Sequence, residues 1–334
     1  MKVGVIGCGY WGKNIIRVLW EDSKWDLVLC SDTNENRLKE IKKIYPKLEV
    51  TSHPEELFAN PKIEAIFIVT PVSSHFELGE KSLMSGKHTF IEKPFVTKRE
   101  EGEALIELSE RKKLTLMVGH IFHYVPGIRK IKKILNEEIS SLYYIKLTRI
   151  NLGIHRKEIS VLWDLGAHDI GILFYWLEKE PLWIQVTHRN TIITHVPDVA
   201  FINLCFPPDI LVNIHISWLA PSKVREILVV GKEKMILYDD TEVKHKLKIF
   251  THSIEKLNHS SFGEYHLTYT TGEVIIPPLS NVEPLKEELT HFYRCIQNSI
   301  PPLTDGKLGL GVVKWLELGD NSIREGGKMI YNKI

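Results

Sequence analysis

The chain predicts an α/β domain built on a parallel sheet, followed by an α+β domain with a large, mostly antiparallel open sheet. Two observations carry the first half. Apolar strands alternate with amphipathic helices over the first third of the sequence, and a glycine-rich turn joins the first strand to the first helix. A third observation carries the rest: after Gly119 the pattern changes to a few helices and many short strands, separated by turns such as FPPD and YDDTE.

Taken in order, KVGVIG reads as a strand, KNIIRVLWE as a helix, DLVLCSD as a strand and NENRLKEIKKIYP as a helix. AIFIVTP, HTFIEKP and TLMVGH continue the strands, with helices SHFELGEKSLMSG and REEGEALIELSERKK between them. Continuous apolar strands between amphipathic helices are what a sheet covered on both faces requires. Residues 1–120 therefore read as a dinucleotide-binding domain of Rossmann type. Residues 121–334 read as the α+β domain for substrate and self-association. It opens with the helix GIRKIKKILN and the strand SLYYIKLTRI, then an apolar helix, VLWDLGAHDIGILFYWL. The strands WIQVTHRN, DVAFINLCF, ILVNIHISW, REILVVG, KMILYDD, KLKIFTH and EVIIP follow, and closing helices near 283–298 and 307–325 pack back on the body.

At 334 residues, two domains fit better than one small core. With 25% charged and 43% hydrophobic residues the composition is that of a folded globular protein. A net charge of +1 gives no global attraction to nucleic acid or anionic lipid. Cys8, Cys30, Cys205 and Cys295 lack any C-x-x-C spacing, so they read as small buried apolar residues and no metal site is expected. The first residues enter a strand at once and no apolar run reaches spanning length, so a cytoplasmic protein without membrane contact is expected.

Gly7, Gly9 and Gly12 stand in G-x-G-x-x-G spacing between a strand and a helix. In that setting backbone N–H groups and the helix dipole meet a pyrophosphate. About twenty residues on, Asp32 closes the second strand, where a carboxylate accepts from the ribose hydroxyls and repels a 2′-phosphate. The cofactor expected is NAD rather than NADP, with Arg37 as the residue that would accommodate the phosphate if NADP were used. Two large aromatics, Tyr10 and Trp11, interrupt the glycines. Their rings either wall the cofactor cleft or pack beneath the first helix.

Thr70 and Pro71 close the strand AIFIVTP, and Glu92, Lys93 and Pro94 close HTFIEKP, all at the carboxyl edge where open α/β sheets bind ligands. A lysine there can hydrogen-bond a substrate hydroxyl and move its proton if its surroundings lower its pKa; otherwise it is a solvated surface lysine. In the apolar helix, Asp164 and His168 lie four residues apart and share a face. Burying both is costly unless they pair with each other, a ligand or water. The alternative is a core histidine satisfied by a neighbour. Asp169 points elsewhere and reads as structural.

The glycine loop, the block TPVSSHFELGEKSLMSGKHTFIEKP and the D-x-x-x-H of DLGAH together resemble the Gfo/Idh/MocA oxidoreductases over essentially the whole chain. The resemblance implies that Lys93 relays a proton and positions substrate, that His168 is the general acid/base, and that Asp164 orients the hydroxyl or the histidine. It places Thr70, Pro71, His75, Glu92 and Lys93 along the cofactor, Lys93 near the nicotinamide. GYWGKN, VLWDLGAHDIGIL and SWLAPSKVREILVVGKEKMILYDD look like the branch acting on UDP-N-acetylglucosamine or its uronate at C3. In GHIFHYVP, His123 and Val125 stand where many relatives have Arg and Asn, and His120 and Tyr124 become the substrate contacts of that segment. Arg149 and Arg156 read as surface arginines or as contacts to a substrate phosphate or carboxylate.

The implied activity is hydride transfer between a ring hydroxyl of a nucleotide-linked hexose and NAD, in a homodimer or homotetramer formed through the second domain's sheet. The alternatives are a free-sugar or inositol dehydrogenase, a keto-sugar reductase, and, in another class, a non-catalytic NAD-binding regulator.

Overall fold

The structure, a computed structural model, describes residues 1–153, 159–251, 253–256, 267–270 and 272–332. It divides into two compact units, Met1–Tyr124 with Val282–Lys314 and Val125–Asn281 with Trp315–Ile334.

The first unit alternates β1 (Lys2–Ile6), α1 (Tyr10–Glu21), β2 (Asp26–Ser31), α2 (Glu35–Ile44), β3 (Glu49–Thr51), α3 (Glu55–Ala59), β4 (Ala65–Ile68), α4 (His75–Met84), β5 (His88–Glu92), α5 (Arg99–Lys112) and β6 (Leu116–Gly119). The six strands form one parallel sheet in the order β3-β2-β1-β4-β5-β6. The strand order reverses beside β1, which creates the crevice where such sheets take their ligands. Strands β1, β4 and β5 are buried almost throughout, which is why their sequence shows no alternation. The expected Rossmann sheet is thus present. The short edge elements β3 and α3, five residues or fewer, carry too little periodicity to be read from sequence.

The second unit begins with α6 (Pro126–Glu137) and β7 (Leu142–Ile150). Next come a π-helical turn at Leu162–Gly166 and α7 (Ala167–Leu177). The strands follow as β8 (Trp183–Arg189), β9 (Val199–Phe206), β10 (Ile210–Ser217), β11 (Val224–Gly231), β12 (Met235–Asp239), β13 (Leu247–Phe250), β14 (Ser253–Lys256), β15 (Leu267–Thr270) and β16 (Val274–Ile275). After α8 (Pro284–Asn298) and α9 (Gly306–Arg324), β17 (Ile330–Tyr331) ends the described chain. Nine strands pair in the order β16-β13-β12-β11-β7-β10-β9-β8-β17; β7 and β10 run parallel and the other neighbours antiparallel. A separate ribbon pairs β14 with β15.

One face of the large sheet is apolar and covered. Ile145, Leu147, Ile202, Leu204, Ile214 and Ile216 are buried on it, and Gly166 of the π turn packs on Ile202 and Ile216. The indole of Trp176 on α7 donates to the carbonyl of Ile128 on α6 at 3.0 Å, tying the covering helices together. On the other face the cross-strand partners Leu211 and Tyr144 are exposed, and Phe201 stacks on His215 with centroids 4.4 Å apart.

Helix α8 belongs to the first unit. Its Leu285, Leu289 and Phe292 join the core formed with Trp25, Phe67 and Phe90, where aromatic rings meet edge to face.

Candidate active site

The glycine loop has the form a dinucleotide needs. Gly7 has φ +103°, and a Cβ there would stand 2.4 Å from the carbonyl oxygen of Val69. A Cβ on Gly12 would stand 2.0 Å from the Gly7 oxygen, so α1 could not lie so close to the loop. At Gly9, by contrast, the nearest group is the Arg37 guanidinium, 3.8 Å away, which leaves open space for a ligand over the backbone. Gly9 caps α1 without a side-chain hydrogen bond, and no acidic residue occupies its first turn. The helix donors and the positive end of its dipole remain available to an anion.

Asp32 is buried at the end of β2. Its Oδ2 accepts from the Cys8 N–H at 2.7 Å and its Oδ1 from the Asn34 N–H at 2.8 Å. Asn34 then caps α2 by accepting from the N–H groups of Asn36 and Arg37. Arg37 Nη1 lies 3.4 Å from Asp32 Oδ2. The acid thus fixes the glycine loop from below and keeps further lone pairs for ribose hydroxyls.

Tyr10 and Trp11 part company. The Tyr10 ring is 87% exposed, whereas Trp11 packs against the core of the unit. The Trp11 indole N–H donates to Glu92 Oε1 at 2.5 Å. Glu92 Oε2 accepts from the Lys93 N–H at 3.2 Å. Burial pushes the Glu92 carboxyl up to about 7, against the pull of the indole and of Lys93. A fully buried second acid, Glu288 on α8, lies within electrostatic reach of Glu92. Neither of its oxygens has a hydrogen-bond partner among the described residues, and burial with the neighbouring carboxylate raises its pKa well above the ordinary range. The sequence reading missed Glu288. Its only signal is a charged residue among the apolar positions Leu285, Leu289 and Phe292 of an amphipathic helix.

Thr70 follows β4 and its Oγ1 accepts from the Ser74 hydroxyl at 2.8 Å; Pro71 is exposed beside it. His75 corrects an expectation. Placed along the cofactor by its position in the sequence block, it is 1% exposed, with Nε2 2.9 Å from the Thr70 carbonyl and Nδ1 2.9 Å from that of Pro94. It braces the β4 and β5 loops from inside and has no ring nitrogen left to offer. Burial holds its pKa below the ordinary value, against the pull of those carbonyls.

The segment after β6 holds a second correction. Tyr124 is fully buried in the core of the first unit, its hydroxyl 3.4 Å from Thr304 Oγ1, so it presents nothing to a substrate. His120 and His123 are also buried. His120 Nε2 has no hydrogen-bond partner among the described residues, and burial beside Lys93 drives its pKa down to about 3. It is therefore a neutral imidazole at every working pH.

In the second unit the uniform α-helix expected from Val161 is corrected. Leu162–Gly166 is wound as a π turn, with i→i+5 hydrogen bonds, and α geometry starts at Ala167. Asp164 lies inside the π turn and receives the Trp218 indole N–H at 3.3 Å. Asp164 and His168 are half-buried, so the acid enclosed in this helix is Asp169 instead. Arg149, expected at the surface or on a ligand, is buried too, and pairs with Asp169 through Nη2 at 2.6 Å and Nε at 3.0 Å. Arg156 lies outside the described residues.

The first unit therefore brings together the glycine loop, Asp32, Trp11, Glu92, Lys93 and His120, and the second brings together Asp164, Trp218, Asp169 and Arg149. Among the described residues no group of three or more His, Cys, Asp or Glu side chains is arranged to hold a metal ion. Nor is any described helix long and apolar enough to cross a membrane.

Comparison with known proteins adds the family. Residues 1–120 match the model of the oxidoreductase family with an NAD-binding Rossmann fold, and residues 155–237 match that of the GFO/IDH/MocA C-terminal domain. UDP-N-acetylglucosamine 3-dehydrogenase of Acidithiobacillus ferrooxidans is 30% identical over 186 residues, 55% of this chain and 57% of that protein. The scyllo-inositol 2-dehydrogenase (NADP(+)) of Bacillus subtilis is also 30% identical, over 51% of this chain and 50% of its own. These matches span only about half the length of either curated relative. The solved structure of the A. ferrooxidans enzyme superposes with a TM-score of 0.82 at 22% identity, over 98% of each chain, a likeness of fold.

Proposed function

The chain belongs to the Gfo/Idh/MocA oxidoreductases, and on that premise we propose that it is an NAD-dependent dehydrogenase acting on a secondary ring hydroxyl of a sugar, at C3 of a nucleotide-linked hexose. The observation that carries the cofactor assignment is the cradle itself: open space over Gly9, an uncapped α1 and a buried Asp32 bound to the loop. Gly7, Gly9, Gly12 and the first turn at Tyr10 and Trp11 hold the pyrophosphate, Asp32 the ribose, and Thr70, Pro71 and Glu92 line the remainder. When bound, the nicotinamide supplies hydride-accepting chemistry. His168 takes the hydroxyl proton, Asp164 orients that exchange, and Lys93 positions the hydroxyl and relays its proton. The name of the A. ferrooxidans relative supports the choice of sugar.

A second reading, an inositol or free-sugar dehydrogenase using NADP, has its own support in the B. subtilis relative and in Arg37 beside Asp32. The open sheet face bearing Tyr144, Leu211 and Phe201 supports association with a second copy.

A turnover and thermal-shift screen of UDP- and dTDP-sugars, inositols and free sugars with NAD or NADP tests these readings, because a ligand that binds only the native state raises the melting temperature. Oxidation of a UDP-hexose with NAD is expected. Cofactor binding with no turnover of any sugar overturns the proposal.

A further inference from the structure

The far end of the β7–β11 ladder carries a like-charge pair. Arg149 and Arg225 are directly opposite partners, with Ile150 facing Val224 at the last rung. Directly opposed like charges destabilise a sheet unless something compensates them. Arg149 is compensated by Asp169, at 2.6 Å. Among the described residues Arg225 pairs with Asp240, at 3.5 Å, and feels Asp169 at longer range; Asp240 also serves Lys246 at 3.5 Å and accepts from the Tyr238 hydroxyl at 2.9 Å. Lys223, exposed two residues before Arg225, makes no ion pair among the described residues.

Among the described residues, Lys223 and Arg225 thus sit in a cluster of four cations, with Arg149 and Lys246, against two carboxylates, Asp169 and Asp240. Crowding by Arg225 lowers the pKa of Lys223; burial, then Arg149, lowers that of Arg225. A partly buried surplus of positive charge is relieved by an anion.

The register places this surplus beside the candidate chemistry of its own unit. Strand β10 runs parallel to β7, and its last residue, Ser217, pairs with Ile150. The next residue, Trp218, donates to Asp164. Asp169, which holds Arg149, is the neighbour of His168 on α7. The cation cluster and the segment carrying Asp164 and His168 therefore lie at the same end of the central strands β11, β7 and β10.

We propose that Lys223 and Arg225 bind an anionic substituent of the substrate, a phosphate or carboxylate, and so select charged sugars over neutral ones. Asp169 holds the Arg149 guanidinium as the fixed wall of that site, and Lys223 and Arg225 supply the adjustable donors. This rests on the sugar-dehydrogenase reading for the identity of the ligand, but the anion site is measurable without turnover.

The test is isothermal titration of inorganic pyrophosphate and, separately, of D-glucuronate into protein saturated with NAD, so that the glycine loop is already filled. At least one anion is expected to bind, with affinity falling about tenfold in Lys223→Ala and further in Lys223→Ala/Arg225→Gln, as loss of charge-assisted hydrogen bonds dictates. Pyrophosphate binding identifies a phosphate site and glucuronate binding a carboxylate site. Lys223 is exposed, so its single variant is expected to fold, and an unchanged NAD affinity checks that it has. Failure of both anions to bind, or equal binding by wild type and both variants, overturns the proposal. If the anion site responds as expected but no sugar is oxidised, the enzyme reading fails and this one stands. If a nucleotide sugar is oxidised with the same KM by wild type and both variants, the reverse holds.

Discussion

Trp11 donates its indole N–H to Oε1 of Glu92 at 2.5 Å, joining the turn after the glycine loop to the end of β5. Trp11→Phe removes that donor and moves the Glu92 carboxyl still higher than about 7. A carboxyl whose folded pKa is raised favours the native state below its unfolded pKa, near 4.5, and loses that contribution as pH rises through the folded value. The variant should be about 1–3 kcal/mol less stable than wild type at pH 8, with a smaller gap near pH 4. Urea midpoints across that range provide the check, and a pH-independent gap would contradict it.

Glu288 makes the opposite prediction. Its carboxyl is raised well above 4.5 by burial and by Glu92, so stability declines as pH climbs above 4.5 toward its folded value. Glu288→Gln keeps the shape and removes the titration. It should be at least as stable as wild type at pH 8 and show a flatter stability profile between pH 5 and 8. A loss of stability equal at every pH would mean that the carboxyl titrates alike in the folded and unfolded chain, and would contradict this prediction.

The Arg149–Asp169 pair is enclosed on both sides. Asp169→Asn leaves a buried guanidinium without its counter-charge and should cost about 3–5 kcal/mol, while Arg149→Met/Asp169→Leu should recover much of that loss. Chemical denaturation of the single and double variants decides whether the pair behaves as a unit.

His168→Asn and Lys93→Ala should each lower kcat by about two to four orders of magnitude, the range for lost acid/base help, while NAD affinity stays close to wild type. Stopped-flow turnover with equilibrium NAD titration separates the two effects. Normal rates in both variants would remove these residues from the chemistry.

Asp32→Ala should weaken NAD more than NADP, because it deletes the ribose acceptor and frees Arg37 for a 2′-phosphate. The ratio of kcat/KM for the two cofactors reports it.

The sheet of the first unit was legible because strands buried on both faces write themselves as unbroken apolar runs, and the glycines because only they fit where a Cβ would meet backbone at 2.0–2.4 Å. The partners of the polar side chains were not. His75 and Tyr124 look like ligand contacts in a motif, yet each is closed inside the first unit by residues distant in sequence, Pro94 for one and Thr304 for the other. Arg149 and Asp169 are twenty residues apart and only the β7–α7 packing introduces them. Glu288 is visible in sequence as one more helix acid, and its enclosure depends on α8 lying in the core of the first unit.

The π turn at Leu162–Gly166 has an evolutionary edge. A π segment holds one residue more than the α-helix that would replace it, and each residue turns an α-helix by about 100°. Deleting a single residue there would rotate Asp164 away from its present bearing on His168 without altering either side chain. Chains of this design can thus retune the angle between those two groups by changing length, a route that no substitution scan would sample.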